Sequence, residues 1–274
     1  MNSQIPFGYP SILFFGDSLT KNLWKTQAGY SVGAAISDFF SGRFQILERG
    51  FHGYNTANAR FIVDDVIPPS GNTDIKLLVL WFGANDAILP TASQSQYIPI
   101  DQYKANLKAI IESRNFKGHL NRGAKVIMVS PPPFNEHQGG TTGRLAAITR
   151  AYAEAAGQVA RDGGYEFLDL WGDFMKFAGW KEGDPLLGDT NVASSKQLGG
   201  LLASGDGVHL TAAGYRRFYD QFRNISCGPL AEQVCNARRI FPDWQAAPRY
   251  ESSGRRNVDV FRRWKQRRQR QIPN

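Results

Sequence analysis

The chain has little of what builds several common classes of protein. It has only two cysteines, Cys227 and Cys235, and four histidines among 274 residues. The two cysteines form neither a disulfide framework nor a CxxC redox or zinc motif, so both are expected as reduced thiols. His52, His119, His137 and His209 show no HxxxH or Cys-paired spacing, which argues against a metal site. No apolar run approaches the ~20 residues that a membrane-spanning helix needs. Met1 to Pro6 lack the basic start and apolar core of a secretory leader. The expectation is therefore a soluble cytoplasmic protein without a membrane span, in which Asn224-Ile225-Ser226 matches the glycosylation tripeptide by accident. Gly139 to Gly143 is glycine-rich but lacks the lysine of a phosphate loop and reads as a flexible rim.

Charge of one sign is scarce over most of the length. The formal net charge is +8. Residues 249–274 carry nine Arg and Lys against Glu251 and Asp259, so nearly all of the excess sits in this basic tail. The remainder is close to neutral and has no electrostatic reason to seek phosphates. A globular domain over 1–248 followed by a tail over 249–274 is expected, the tail being the one segment suited to a weak anionic partner.

The domain itself has enough to fill one core, with 42% hydrophobic and 12% aromatic residues. Five short β-like runs recur, at Ser11 to Phe15, Phe44 to Glu48, Leu77 to Phe82, Lys125 to Ser130 and Tyr165 to Leu170. Leu77 to Phe82 and Val126 to Val129 are continuously apolar, as strands covered on both faces must be, so Trp81 and Phe82 read as core rather than as the lining of an acyl pocket. Helix-like segments lie between the runs: Ala28 to Phe40, Thr56 to Val66, Tyr103 to Ser113 and Leu145 to Arg161, with Thr211 to Phe222 after them. Strand alternating with helix predicts a doubly wound, three-layer α/β/α sandwich. Pro131 to Pro133 end the fourth run, and Phe134 to Gly143 form a polar loop on its carboxyl edge. Trp180 to Gly205 lacks clear periodicity and reads as a long irregular approach to Asp206.

The chemistry gathers at the carboxyl ends of these runs, where an α/β sheet exposes reactive groups. Phe15-Gly16-Asp17-Ser18-Leu19 delivers a serine at the end of the first run. A serine hydroxyl is a poor nucleophile unless a base, an orienting carboxylate and oxyanion donors accompany it. Asp206-Gly207-Val208-His209-Leu210 offers acid and base three residues apart, close enough for the carboxylate to hold one imidazole nitrogen and leave the other for Ser18. Gly53 follows the second run, within a stretch whose glycines permit a turn that aims a backbone N–H at a ligand. Asn85 ends the third run, where its amide could donate to an oxyanion or simply form a loop. Each signal is weak alone, but together they converge on one locus.

In these blocks the chain resembles the GDSL or SGNH hydrolases. The four family letters fall on Ser18, Gly53, Asn85 and His209. Within the family it is most similar to the isoamyl-acetate-hydrolysing esterase group, through Phe82 to Ala87, Ser130 to Pro133 and Phe241-Pro242-Asp243-Trp244. The similarity covers about Pro10 to Gln245 and leaves the basic tail without an inherited role. It implies a five-stranded parallel sheet, a Ser18-His209-Asp206 triad, oxyanion donors from Ser18, Gly53 and Asn85, and no metal or organic cofactor. The expected activity is hydrolysis of small-molecule carboxylic esters. A carbohydrate acetylesterase, a thioesterase and a lysophospholipase share that chemistry, and only the pocket separates them. A non-enzymatic alternative is a binding protein that uses Arg255 to Arg270 on an acidic surface or nucleic acid. The irregular stretch from Gly188 to Gly205 exceeds what the family motif requires and is the candidate lid.

Overall fold

The computed structural model describes residues 9–92, 96–139, 143–192, 196–241 and 245. The sheet is five-stranded and wholly parallel, built from β1 (Ser11–Gly16), β2 (Gln45–Gly50), β3 (Ile75–Trp81), β4 (Lys125–Val129) and β5 (Glu166–Leu168). The strand order is β2-β1-β3-β4-β5, so the chain reverses direction of travel at β1 and β3, the switch point of a doubly wound sheet. Successive side chains on a strand point to opposite faces, and both faces are apolar in the central strands. Ile12, Phe14, Val79, Trp81 and Ile127 join one core; Leu13, Phe15, Leu78, Leu80 and Met128 join the other.

The helices α2 (Val32–Phe39), α8 (Leu170–Phe177) and α10 (Ala212–Cys227) cover the first face through Ile36, Phe174, Phe218 and Phe222. Trp81 stacks on Phe218 there, with ring centroids 4.6 Å apart. The second face is covered by α3 (Thr56–Val66), α4 (Ile100–Ile111) and α7 (Ala146–Gly163) through Val63, Leu107, Ile110 and Val159. The three-layer sandwich is therefore as the sequence predicts. Around it sit the short α1 (Ser18–Lys21), α5 (Arg114–Leu120), α6 (Glu136–Gly139) and α9 (Lys196–Leu201).

Several expectations change. The helix expected from Ala28 begins at Val32, because Gln27 and Tyr30 bond to each other across a tight turn, and Ser31 accepts from Ala34 N–H as the cap. The segment expected to be irregular from Trp180 contains α9, and Leu198, Leu201 and Leu202 are buried in the core. Cys227 and Cys235, expected as reduced thiols, are joined in a disulfide. α10 ends at Cys227, Gly228 turns the chain, and Leu230 and Val234 bury behind it, which brings the two Cα atoms to 4.8 Å, within bonding reach. No helix among the described residues is long and apolar enough to cross a membrane. The compact unit ends at Ala237, and the basic tail over 249–274 lies outside the described residues.

Candidate active site

Ser18 opens α1 immediately after β1, a sharp strand-to-helix passage that only a small residue at Gly16 permits. A Cβ at Gly16 would lie 2.4 Å from the Trp81 carbonyl oxygen on the neighbouring strand. Asp17 caps the short helix, its Oδ1 accepting from Leu19 N–H at 2.8 Å, and Ser18 is left almost buried. The parallel register aligns Gly16 with Gly50 on one side and Trp81 on the other. The Ser18, Gly53 and Asn85 segments thus leave three adjacent strand ends.

Asp206 and His209 arrive from the far end of the chain. Asp206 Oδ1 accepts from the N–H groups of Val208 and His209 at 2.8 and 2.9 Å, which turns the loop back on itself. Its second oxygen, Oδ2, lies 2.8 Å from His209 Nδ1. Burial opposes the charge on Asp206, but the Val208 N–H, the His209 ring and the His209 N–H outweigh it and hold the carboxyl below its ordinary range. With Nδ1–H committed to the carboxylate, His209 Nε2 is an acceptor, and it lies 2.8 Å from Ser18 Oγ. Gly207, at φ +64°, allows the turn, and a Cβ there would meet the Asn135 carbonyl oxygen at 2.3 Å. Asn135 N–H donates to that turn through the Gly207 carbonyl at 3.0 Å.

The two remaining candidates are tied to each other. Asn85 Nδ2 donates to the Tyr54 carbonyl at 2.9 Å, beside Gly53, which adopts φ +76°. Gln96 holds this loop by donating to the Gly53 carbonyl, while its own carbonyl accepts from Asn55 Nδ2 at 2.8 Å. Asn55 also caps α3 in a reciprocal box with Asn58.

Four site neighbours have no role that the sequence assigns. Arg144 donates from Nη2 to Asn85 Oδ1 at 3.0 Å and from Nε to the Ala84 carbonyl at 3.2 Å. No motif marks it, since a lone arginine in a polar loop has no characteristic spacing. His52 stacks parallel to His209 with centroids 6.3 Å apart. Asp17 and Asp86 stand inside recognised blocks, yet their burial is invisible in sequence. Burial pushes Asp17 up to about 7 against the Leu19 N–H bond, with Asp86 adding to the rise and Arg144 opposing it. Burial likewise pushes Asp86 up to about 6 against the hydroxyl and N–H of Thr56, which both donate to its Oδ1. The second oxygen of each, Oδ2, has no hydrogen-bond partner among the described residues.

The stretch from Gly188 onward is bound to the site's frame. Glu136 N–H donates to the Gly188 carbonyl at 2.8 Å, and His137 Nε2 lies 3.1 Å from the carbonyls of Asp189 and Val192. Ala203 N–H donates to the His209 carbonyl at 2.7 Å, so α9 anchors the Asp206-to-His209 loop through the residues just beyond it.

Residues 14–217 match the model of the GDSL-like lipase/acylhydrolase family, which is most of the chain. The chain belongs to this family. It is 31% identical over 247 residues to the human isoamyl acetate-hydrolyzing esterase 1 homolog, a match that spans 86% of this chain and 88% of that one. Among solved structures it is similar to the lipase/acylhydrolase of Enterococcus faecalis, with 18% identity, a TM-score of 0.58 and coverage of 80% of this chain and 96% of the other. It is also similar to a catalytic mutant of an acetylxylan esterase from Geobacillus stearothermophilus, with 14% identity, a TM-score of 0.53 and 80% and 95% coverage. These structures share the fold. The protein is accordingly a carboxylic ester hydrolase of the GDSL type.

Proposed function

We propose that this esterase hydrolyses small carboxylic esters through an acyl-enzyme on Ser18. The observation that carries the reading is the continuous chain from Asp206 through His209 to Ser18, with both contacts at 2.8 Å. In acylation, Ser18 Oγ attacks the ester carbonyl carbon as His209 Nε2 takes the hydroxyl proton. The carbonyl π electrons move onto oxygen, where the N–H groups of Ser18 and Gly53 and the side-chain amide of Asn85 stabilise the charge. The tetrahedral intermediate collapses, the alkoxide leaves, and His209 returns the proton to it. Water then attacks the acyl-enzyme with His209 again as base, which releases the carboxylic acid and regenerates Ser18. Asp206 keeps the proton on Nδ1 and stabilises the imidazolium without being protonated itself.

The curated relative is named for isoamyl acetate, and by similarity short-chain acetate esters are the proposed substrate class. Acetylated sugars are the second, from the name of the structural neighbour. Initial rates across alkyl and aryl esters graded by acyl length, with acetylated-sugar and thioester members, separate them. Covalent labelling by a fluorophosphonate tests the nucleophile: label should appear on the native enzyme and vanish in a folded Ser18→Ala variant, and equal labelling of both would defeat the assignment. The Cys227–Cys235 bond bears on the expected cytoplasmic setting, because disulfides persist in oxidising compartments and are rare in the cytosol. For the basic tail we propose an electrostatic arm that catalysis on small neutral esters does not require.

A further inference from the structure

An asparagine amide can turn either end toward a substrate, and only one end is useful. Rotating the Asn85 amide by half a turn would present Oδ1, a partial negative charge, to a carbonyl oxygen that is itself becoming negative. The shape of the site does not distinguish the two orientations, since the amide's nitrogen and oxygen are nearly equal in size. Something must therefore hold each end by its hydrogen-bonding character.

The two partners of Asn85 do this from opposite sides. The Tyr54 carbonyl only accepts, so it selects Nδ2, at 2.9 Å. The Arg144 guanidinium only donates, so it selects Oδ1, at 3.0 Å. Nδ2 carries two hydrogens, and Tyr54 takes one of them. The guanidinium is fixed in turn, because its Nε donates to the Ala84 carbonyl at 3.2 Å and the planar group then spans the backbone and side chain of consecutive residues. Its backbone is pinned as well. Arg144 pairs with Ile88 as an antiparallel bridge, and Leu89 N–H donates to the Gly143 carbonyl at 2.6 Å. Gly143, at φ +75°, permits this close approach, since a Cβ there would lie 2.7 Å from that of Ala92. Burial works against the charge of this half-buried guanidinium, and the charges of Asp17 and Asp206 offset part of that cost.

We propose that Arg144 is a positioning residue for the ester hydrolysis: by holding Asn85 Oδ1 it commits the amide N–H to the developing oxyanion. Hydrogen bonding of a cation to Oδ1 also draws electron density from the amide and makes the remaining N–H a stronger donor. The inference rests on the reading of Asn85 as an oxyanion donor, and the two fail differently.

The test is a double-mutant cycle on kcat and KM for a short-chain aryl acetate, with Asn85→Ala, Arg144→Ala and the double variant, each checked for a native melting transition. Arg144→Ala should lower kcat by about 10–100-fold with little change in KM, because the interaction it secures is realised in the transition state. In the double variant the loss should equal that of Asn85→Ala alone. Guanidinium chloride at low millimolar concentration should restore part of kcat in Arg144→Ala and none in the double variant. Losses that multiply in the double variant would overturn the inference by showing that Arg144 acts on its own. A normal kcat in folded Arg144→Ala, beside a collapsed one in Asn85→Ala, would overturn it and leave the donor reading standing. A normal kcat in Asn85→Ala would remove the donor reading and the inference with it. If Arg144→Ala does not fold, Arg144→Gln replaces it in the cycle, and full activity in that folded variant overturns the inference equally.

Discussion

Asp17→Asn should raise the stability of this esterase at alkaline pH by much more than in mild acid. The Asp17 side chain is fully buried, one oxygen caps α1, and the other has no hydrogen-bond partner among the described residues. Burial lifts its pKa from 3.8 to about 7. A carboxyl with a higher pKa in the folded chain than in the unfolded one is protonated preferentially by the native state. Its contribution to stability is complete below the unfolded pKa, near 4, and disappears as pH rises through about 7. Roughly three units at about 1.4 kcal/mol each give a loss on the order of 4 kcal/mol by pH 8.5. Asparagine keeps the oxygen that accepts from Leu19 N–H and cannot ionise. The assay is urea unfolding of both proteins at pH 5 and pH 8.5, with m-values checked for equality. The variant's advantage should be about 1.5 kcal/mol at pH 5, where the unfolded carboxyl is already ionised and the native one is not, and approach about 4 kcal/mol at pH 8.5. A difference of the same size at both values, of either sign, would show that Asp17 does not titrate in this interval and would defeat the account of its burial.

Other consequences can be measured on single variants. Asp206→Asn should retain its melting temperature yet lose activity by orders of magnitude, because the carboxylate sets the His209 tautomer; a normal kcat would reduce Asp206 to a loop former. Asn85→Ala should lower kcat by about 10²–10³-fold at nearly constant KM, whereas an unstable protein with intact turnover would make it a structural residue. Replacing Cys227 and Cys235 together by serine should cost about 2–3 kcal/mol in urea unfolding, the chain-entropy value for closing so short a loop, and no measurable loss would mean the bond is absent in solution. Deletion of residues 249–274 should leave turnover of small neutral esters intact, and any retention on an anionic resin should drop with the tail and fall steeply with added salt.

Much of this architecture is legible in the sequence for a simple reason: strands buried on both faces announce themselves. β1, β3 and β4 are apolar throughout their centres and lie where the runs put them. β2 is an edge strand whose residues are only half buried, so Gln45, Glu48 and Arg49 blur its limits and it starts and ends later than expected. α3 spans Thr56–Val66 as expected because Asn55 supplies a strong start signal. α8 is hidden because the run expected as the fifth strand, Tyr165 to Leu170, takes in both Asp169, which caps the helix by accepting from Gly172 N–H, and Leu170, its first residue. α9 is hidden by Gly199 and Gly200. In the site, Ser18, Gly53, Asn85, Asp206 and His209 stand out because their motifs are local. Arg144 and the buried state of Asp17 and Asp86 depend on which loops meet across the sheet edge, and nothing in the spacing of the letters records that.

Ser18 and His209 are 191 residues apart, and that separation sets a condition on when activity can first exist. During synthesis the proposed nucleophile emerges early, while its proposed base emerges after every strand among the described residues has been made. A nascent chain halted before the Asp206 loop can have all the strands of the sheet and still be chemically silent. On the proposed mechanism, a reactive serine is thereby withheld until almost the whole domain has left the ribosome.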